Sequence, residues 1–202
     1  MPQSWRVQHG RVTLKTLEQL TQEDWRRFFS YFRDREIADW NGAKPTRYPF
    51  WLFKRLMLDD VNALERFSFG MYDELGHFMG SVELYDLHPY PPATPRIATL
   101  GIVIGERERW GHGYGREAVK ATLEFAFSLL PSPLERVRLT TFLHNKRAQA
   151  AFKAAGFGQV GIRERVDNTD VLMEISRLGW LEAGAGDQGS GGAGERGSGG
   201  DV

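Results

Sequence analysis

An α/β fold, a mixed α+β sheet of about seven strands flanked by helices, is predicted for this chain by three observations. The apolar run at 100–104 is followed by the glycine-rich stretch Trp110-Gly111-His112-Gly113-Tyr114-Gly115, which leads straight into an amphipathic helix. After it Val119, Leu123, Ala126 and Leu130 recur at spacings of four, three and four, the stripe of a helix packed on a sheet. Val137, Leu139 and Thr141 then alternate as in a strand, so a strand, a helix and a strand follow one another and form a parallel pair with a right-handed crossover.

The remaining elements follow in order. Residues 12–17 read as a first strand, and Thr21 before Glu23 and Asp24 reads as the cap of a helix running to about Arg33. A second helix is expected from Pro49 to about Asp59, with proline in its first turn. Residues 67–72 and 78–85 are two strands joined by the turn Asp73-Glu74-Leu75-Gly76. Four prolines make 88–95 a loop, and the nearly all-apolar 97–104 reads as a strand buried on both faces. Pro131-Ser132-Pro133 stops the following helix. The last long helix places Ala148, Ala151, Phe152 and Ala155 on one face and ends at Gly156. Two closing strands, 157–166 and 171–176, turn at Asp167-Asn168.

Composition narrows the function classes. Lys plus Arg and Asp plus Glu number 26 each, so no net field favours nucleic acid or an anionic membrane. The absence of Cys excludes disulfides, thiolate metal sites and a thiol nucleophile. No signal-like segment or membrane-length apolar run is present, and a cytoplasmic protein, monomer or homodimer, is the expectation. One domain is expected over 1–182. The segment 183–202 holds nine of the 23 glycines and almost no large apolar residue, which predicts a disordered tail.

Glycines at 111, 113 and 115 permit a tight turn and bring bare N–H groups toward a ligand. With a helix starting at about 113–116, the unpaired N–H groups and positive dipole end complete a phosphate site. A plain strand-to-helix turn is the simpler alternative. The pattern is not a P-loop, because no Gly-Lys-Ser/Thr follows. It is also not a dinucleotide fingerprint, because Arg116 breaks the glycine spacing and no suitable acidic residue follows about 20 positions later.

Downstream come the strand at 137–142, His144-Asn145, and a helix closing in Phe152-Lys153-Ala154-Ala155-Gly156-Phe157. Together with the glycine stretch, in this order and at this separation, the chain over roughly 10–180 resembles the GNAT superfamily of acyl-CoA-dependent N-acyltransferases. It is most similar to the branch of ribosomal-protein N-terminal acetyltransferases, where a Trp often stands, as Trp110 does, at the head of the pyrophosphate loop.

The resemblance implies acetyl-CoA as co-substrate, no metal, and direct attack of an amine on the thioester without an acyl-enzyme. It implies a cofactor site formed by Ile102, Val103, Ile104, Arg109, Trp110, Gly111, His112, Gly113, Tyr114, Gly115, Asn145 and Phe152. The backbone of Ile102 to Ile104 aligns the pantetheine, a backbone N–H there polarises the carbonyl, and the loop clamps the pyrophosphate. Asn145 also suits a simple helix cap. The chain departs from the family at Phe152, where many members carry a Tyr that protonates the leaving thiolate, and at Thr99, where some carry a carboxylate. Water or a hydroxyl such as Thr141 is then left for that proton, and a CoA-binding module that has lost catalysis is the alternative function.

An amine acceptor must lose a proton before it attacks. Glu83, an isolated carboxylate within an apolar strand, is the expected base, with Asp86 and His88 in reserve; strand alternation turning it to water is the other possibility. His112 and His144 read as solvated loop residues. Trp25, Trp40 and Trp51 read as core or pocket wall, with Trp40 suited to the acceptor side. The acceptor is left open among protein N-termini, amino acids, polyamines and aminoglycosides, and the donor's acyl length is also open.

Overall fold

The computed structural model describes residues 4–62, 66–88 and 96–188. Eight strands form one sheet in the order β1-β2-β3-β4-β5-β6-β8-β7. They are β1 (Arg6–His9), β2 (Val12–Thr16), β3 (Phe67–Tyr72), β4 (Phe78–His88), β5 (Ile97–Ile104), β6 (Arg136–Phe142), β7 (Gly158–Glu164) and β8 (Thr169–Ser176). The expected mixed sheet is therefore present with one strand more than the seven predicted. The addition, β1, offers only Val7 among polar residues and pairs through the tight Gly10 turn with β2, so no run of its own marks it in the sequence.

Helices α1 (Gln22–Arg33), α2 (Arg35–Trp40) and α3 (Phe50–Asn62) bury one apolar cluster, from Leu17 through Phe28 and Phe53 to Phe78. Thr21 caps α1 in a reciprocal box with Asp24, worth about 1 kcal/mol. Helix α2 was not expected. It is a single short turn-and-a-half whose N-cap, Asp34, also closes α1 and accepts from the Ile37 N–H at 3.1 Å. Trp25 is in the core, but Trp51 is 64% exposed, against expectation. Phe53, two residues on, is buried, and two positions on a helix are about 200° apart, which turns Trp51 outward.

Helix α4 (Tyr114–Glu124), extended by a π-helical turn at Phe125–Leu129, buries the predicted stripe of Val119, Leu123, Ala126 and Leu130 in a second and larger cluster. Helix α5 (Lys146–Ala154) packs against α4, and Phe152 and Ala155 join the same core. Helix α6 (Arg177–Gln188) continues past residue 183, where the tail was expected to begin; the rest of that tail lies outside the described residues, as does the proline loop beyond His88.

All strand pairs are antiparallel except β5 with β6. That parallel pair is joined only at Ile97, Ala98 and Thr99. From Leu100 onward β5 keeps its partner β4 on one side and has no strand on the other, so a row of backbone donors and acceptors faces an opening in the sheet.

Candidate functional site

The opening continues into a cleft of ≈ 560 Å³, within the range of small-molecule sites. Its floor is Ile102, Val103 and Ile104 of β5; one wall is the turn from Arg109 to Arg116, and the other is α5 with Asn145, Ala148, Ala151 and Phe152. Trp40 and Ile37 of α2 close it from above the sheet.

The turn is built as its glycines suggest. Gly111 and Gly113 have φ of 79° and 90°, in the region that L side chains avoid, and Gly113 is the N-cap of α4. The first N–H groups of α4 therefore begin at the cleft edge. Asn145 Oδ1 caps α5 by accepting from the Ala148 N–H at 3.2 Å, and the same side chain lines the cleft, so both readings of Asn145 hold together. Arg147 lies over the Trp110 ring at 4.1 Å and near that of Trp40 at 5.7 Å, forming a stack across the cleft wall.

Two of the expected cleft residues serve a different purpose. The Tyr114 ring is buried under the turn between the guanidinium groups of Arg11 and Arg109, at 4.4 and 5.2 Å, and its hydroxyl donates to Glu74. It is not part of the cleft wall. Arg109 does line the cleft, yet its guanidinium is held by the fully buried carboxylate of Asp73. Alternation and spacing cannot reveal this, because Asp73 sits in the β3–β4 turn and reaches Arg109 only when the sheet is assembled.

On the α1 and α3 side of β5 lies a second cavity of ≈ 240 Å³. Asn41, Ile102 and Val103 line both cavities, so the two meet at the floor of the cleft. Glu83 and Tyr85 of β4 line the smaller one, together with Arg66, Ser68 and Ser81. Gly101 opposite Glu83 makes room for them: a Cβ there would stand 3.3 Å from the Glu83 carboxylate and 3.2 Å from the Tyr85 ring. Glu83 thus lines a mixed polar and apolar cavity, with its side chain 32% exposed. Arg66 Nη1 donates to Glu83 Oε2 at 2.9 Å and Nη2 meets Asp60 at 3.1 Å. Burial pushes the Glu83 carboxyl above its ordinary value, against the opposing pull of Arg66.

The chain from 15 to 158 matches the model of the acetyltransferase (GNAT) domain. The protein is a member of the GNAT acetyltransferase family. Its fold is that of a spermidine N-acetyltransferase from Vibrio cholerae bound to CoA and spermine, at 21% identity and TM-score 0.72 over 85% of this chain and 98% of that one. A GNAT-family acetyltransferase from Bacillus anthracis aligns at 15% identity and TM-score 0.67, over 86% and 99% of the two chains. An aminoglycoside acetyltransferase in complex with coenzyme A aligns at 19% identity and TM-score 0.66, over 85% and 98%. Among curated proteins no sequence matches this one.

Within this GNAT domain, Ile102, Val103, Ile104, Arg109, Trp110, Gly111, His112, Gly113, Gly115, Asn145 and Phe152 line the cleft, and Tyr114 does not. His112 and His144 are exposed, and His144 stacks on Phe142 at 5.1 Å. Trp40 lines the larger cleft and not the smaller cavity. Asp86 and His88 line neither cavity: Asp86 sits at a bulge with φ of 49° beside the Thr99 hydroxyl, and His88 ends β4. Thr141 lines neither as well. Arg116, Arg147 and Ile37 are cleft residues the sequence did not single out; only the placement of Arg116 one position after the last loop glycine hinted at it.

Among the described residues no helix is long and apolar enough to cross a membrane. Nor do three or more metal-ligating side chains come together among them.

Proposed function

We propose that this GNAT protein transfers the acetyl group of acetyl-CoA to a primary amine, of a small molecule or a protein N-terminus, by direct attack and without an acyl-enzyme. The observation that carries the reading is the meeting of the two cavities at Ile102 and Val103, where the free edge of β5 passes between them. The family relation supplies the donor, whose thioester is the activated acyl group. The glycine turn and the start of α4 take the pyrophosphate, and the β5 edge pairs with the pantetheine amides. Arg116 on the cleft wall adds a cation beside the turn.

Glu83 takes the proton from the attacking ammonium, directly or through one water, and the neutral amine then bonds to the carbonyl carbon as the carbon–sulfur bond breaks. A β5 backbone N–H holds the developing oxyanion. No hydroxyl stands at Phe152, so water relays to the thiolate the proton that the acylated nitrogen sheds; the thiolate is a tolerable leaving group because an ordinary thiol has a pKa of about 8.5. Both relatives named for an acceptor act on amines, spermidine in one case and aminoglycosides in the other. Trp110 supports kinship with the ribosomal-protein N-terminal acetyltransferases. The balanced charge supports action without nucleic acid, and a cytoplasmic monomer or homodimer completes the proposal.

The test is an acetyl-CoA-dependent thiol-release screen over polyamines, aminoglycosides, amino acids and N-terminal peptides. At least one class is expected to release thiol well above the rate of hydrolysis. The absence of a hydroxyl at Phe152 favours one other reading, a CoA-binding module without turnover; CoA binding by calorimetry with no active acceptor in the screen would establish it.

A further inference from the structure

The β1–β2 turn reaches under the glycine loop. Glu117, in the first turn of α4, is a buried carboxylate whose Oε2 accepts from the Arg11 backbone N–H at 2.7 Å. Its Oε1 accepts from Arg11 Nε at 3.1 Å and Nη2 at 2.7 Å. The same Nη2 donates to the His112 carbonyl at 2.8 Å, and the guanidinium lies on the buried Tyr114 ring. Burial alone would raise the Glu117 carboxyl, but the side-chain and backbone bonds from Arg11 outweigh it and hold the group below its ordinary value. The carboxylate is ionised and the brace is complete near neutral pH.

A trans peptide points its C=O and the following N–H in opposite directions. Arg11 stands outside the cleft wall, whereas His112 and Gly113 are part of it. Drawing the His112 carbonyl toward Arg11 therefore turns the Gly113 N–H the other way, to the cleft side. Without that bond, the peptide joining His112 to the positive-φ Gly113 is freer to flip, because glycine imposes little preference on its side.

We propose that Arg11, held by Glu117, is a positioning residue that presets the His112–Gly113 peptide for an anionic pyrophosphate. Arg11 touches no reacting atom; it removes the cost of ordering the loop when the anion arrives. The inference rests on the assignment of the loop to the pyrophosphate of CoA.

Calorimetric binding of CoA and of pantetheine, which lacks the pyrophosphate, separates the two ideas without any turnover. Arg11→Met is expected to weaken CoA binding about tenfold, or about 1.4 kcal/mol, while pantetheine binding stays within twofold; Arg11→Lys should recover part of the loss. If Arg11→Met does not fold, Glu117→Gln, which keeps the shape and releases the guanidinium, should show the same selective loss to a smaller degree. Unchanged CoA affinity, or equal losses for CoA and pantetheine, overturns the role of Arg11. A wild-type protein that binds CoA no better than pantetheine overturns the loop assignment together with this inference.

Discussion

Trp110 Nε1 donates a 2.8 Å hydrogen bond to the carbonyl oxygen of Ile104, the last residue of β5. One indole thereby ties the head of the glycine loop to the end of the strand that floors the cleft. The loop and the strand edge, the two parts proposed to hold the donor, are thus tied to each other.

Gly113→Val should weaken CoA binding by at least about tenfold while the fold survives. The φ of 90° is strained for any L residue, and a new Cβ would stand 3.3 Å from Arg11 Nη2. Strain of about 1–3 kcal/mol is expected, and the loop can relieve it by abandoning the geometry that presents its N–H groups. Circular dichroism and calorimetry on the same samples check it; unchanged affinity in a folded variant removes the loop from the pyrophosphate site.

Glu83→Gln should lower kcat/KM at neutral pH by about a hundredfold and leave acetyl-CoA binding intact. The base works only when ionised, and its carboxyl is held above the ordinary value. Activity of the native enzyme should therefore fall as pH drops, with a midpoint above that of an ordinary glutamate, and the variant should lose that limb. Wild-type rates for the variant from pH 6 to 9 would make Glu83 structural.

Introducing the missing hydroxyl, Phe152→Tyr, should change kcat by less than about tenfold, or about 1.4 kcal/mol. Phe152 is 6% exposed and lines the cleft. A much larger gain would show that thiolate protonation limits the natural enzyme.

Asp73→Ala should destabilise the fold by about 3–5 kcal/mol, since it strands Arg109 and two backbone donors. Asp73 Oδ1 accepts from the Leu75 and His77 N–H groups at 3.0 and 2.8 Å, and Oδ2 holds Arg109. Burial raises its carboxyl, but these bonds prevail and keep it below its ordinary value. A depressed folded value means that the stabilisation is present above the unfolded value, about 3.9, and is lost as pH falls through the folded one. Urea titrations from pH 7 to 3 should show a smaller acid-side decline for the variant than for the native protein.

The glycine turn, the strand before it and the helix after it were legible in the residues because each is local. Positive φ demands glycine at 111 and 113, and period and length mark the strand and helix around them. The same locality explains why Asn145 could be read as a cap and the stripe from Val119 to Leu130 as a buried face. What lay beyond reach was which distant residues meet. Arg11 and Glu117 are 106 positions apart, Asp73 and Arg109 are 36 apart, and both pairs exist only because β1, β2 and the β3–β4 turn lie beside the loop in the assembled sheet. Strand alternation left open whether Glu83 faces water or a cleft. The answer came from Gly101 across the pair and from Arg66 beside it, since the space on a sheet face is set by neighbouring strands and covering helices and not by the strand's own period.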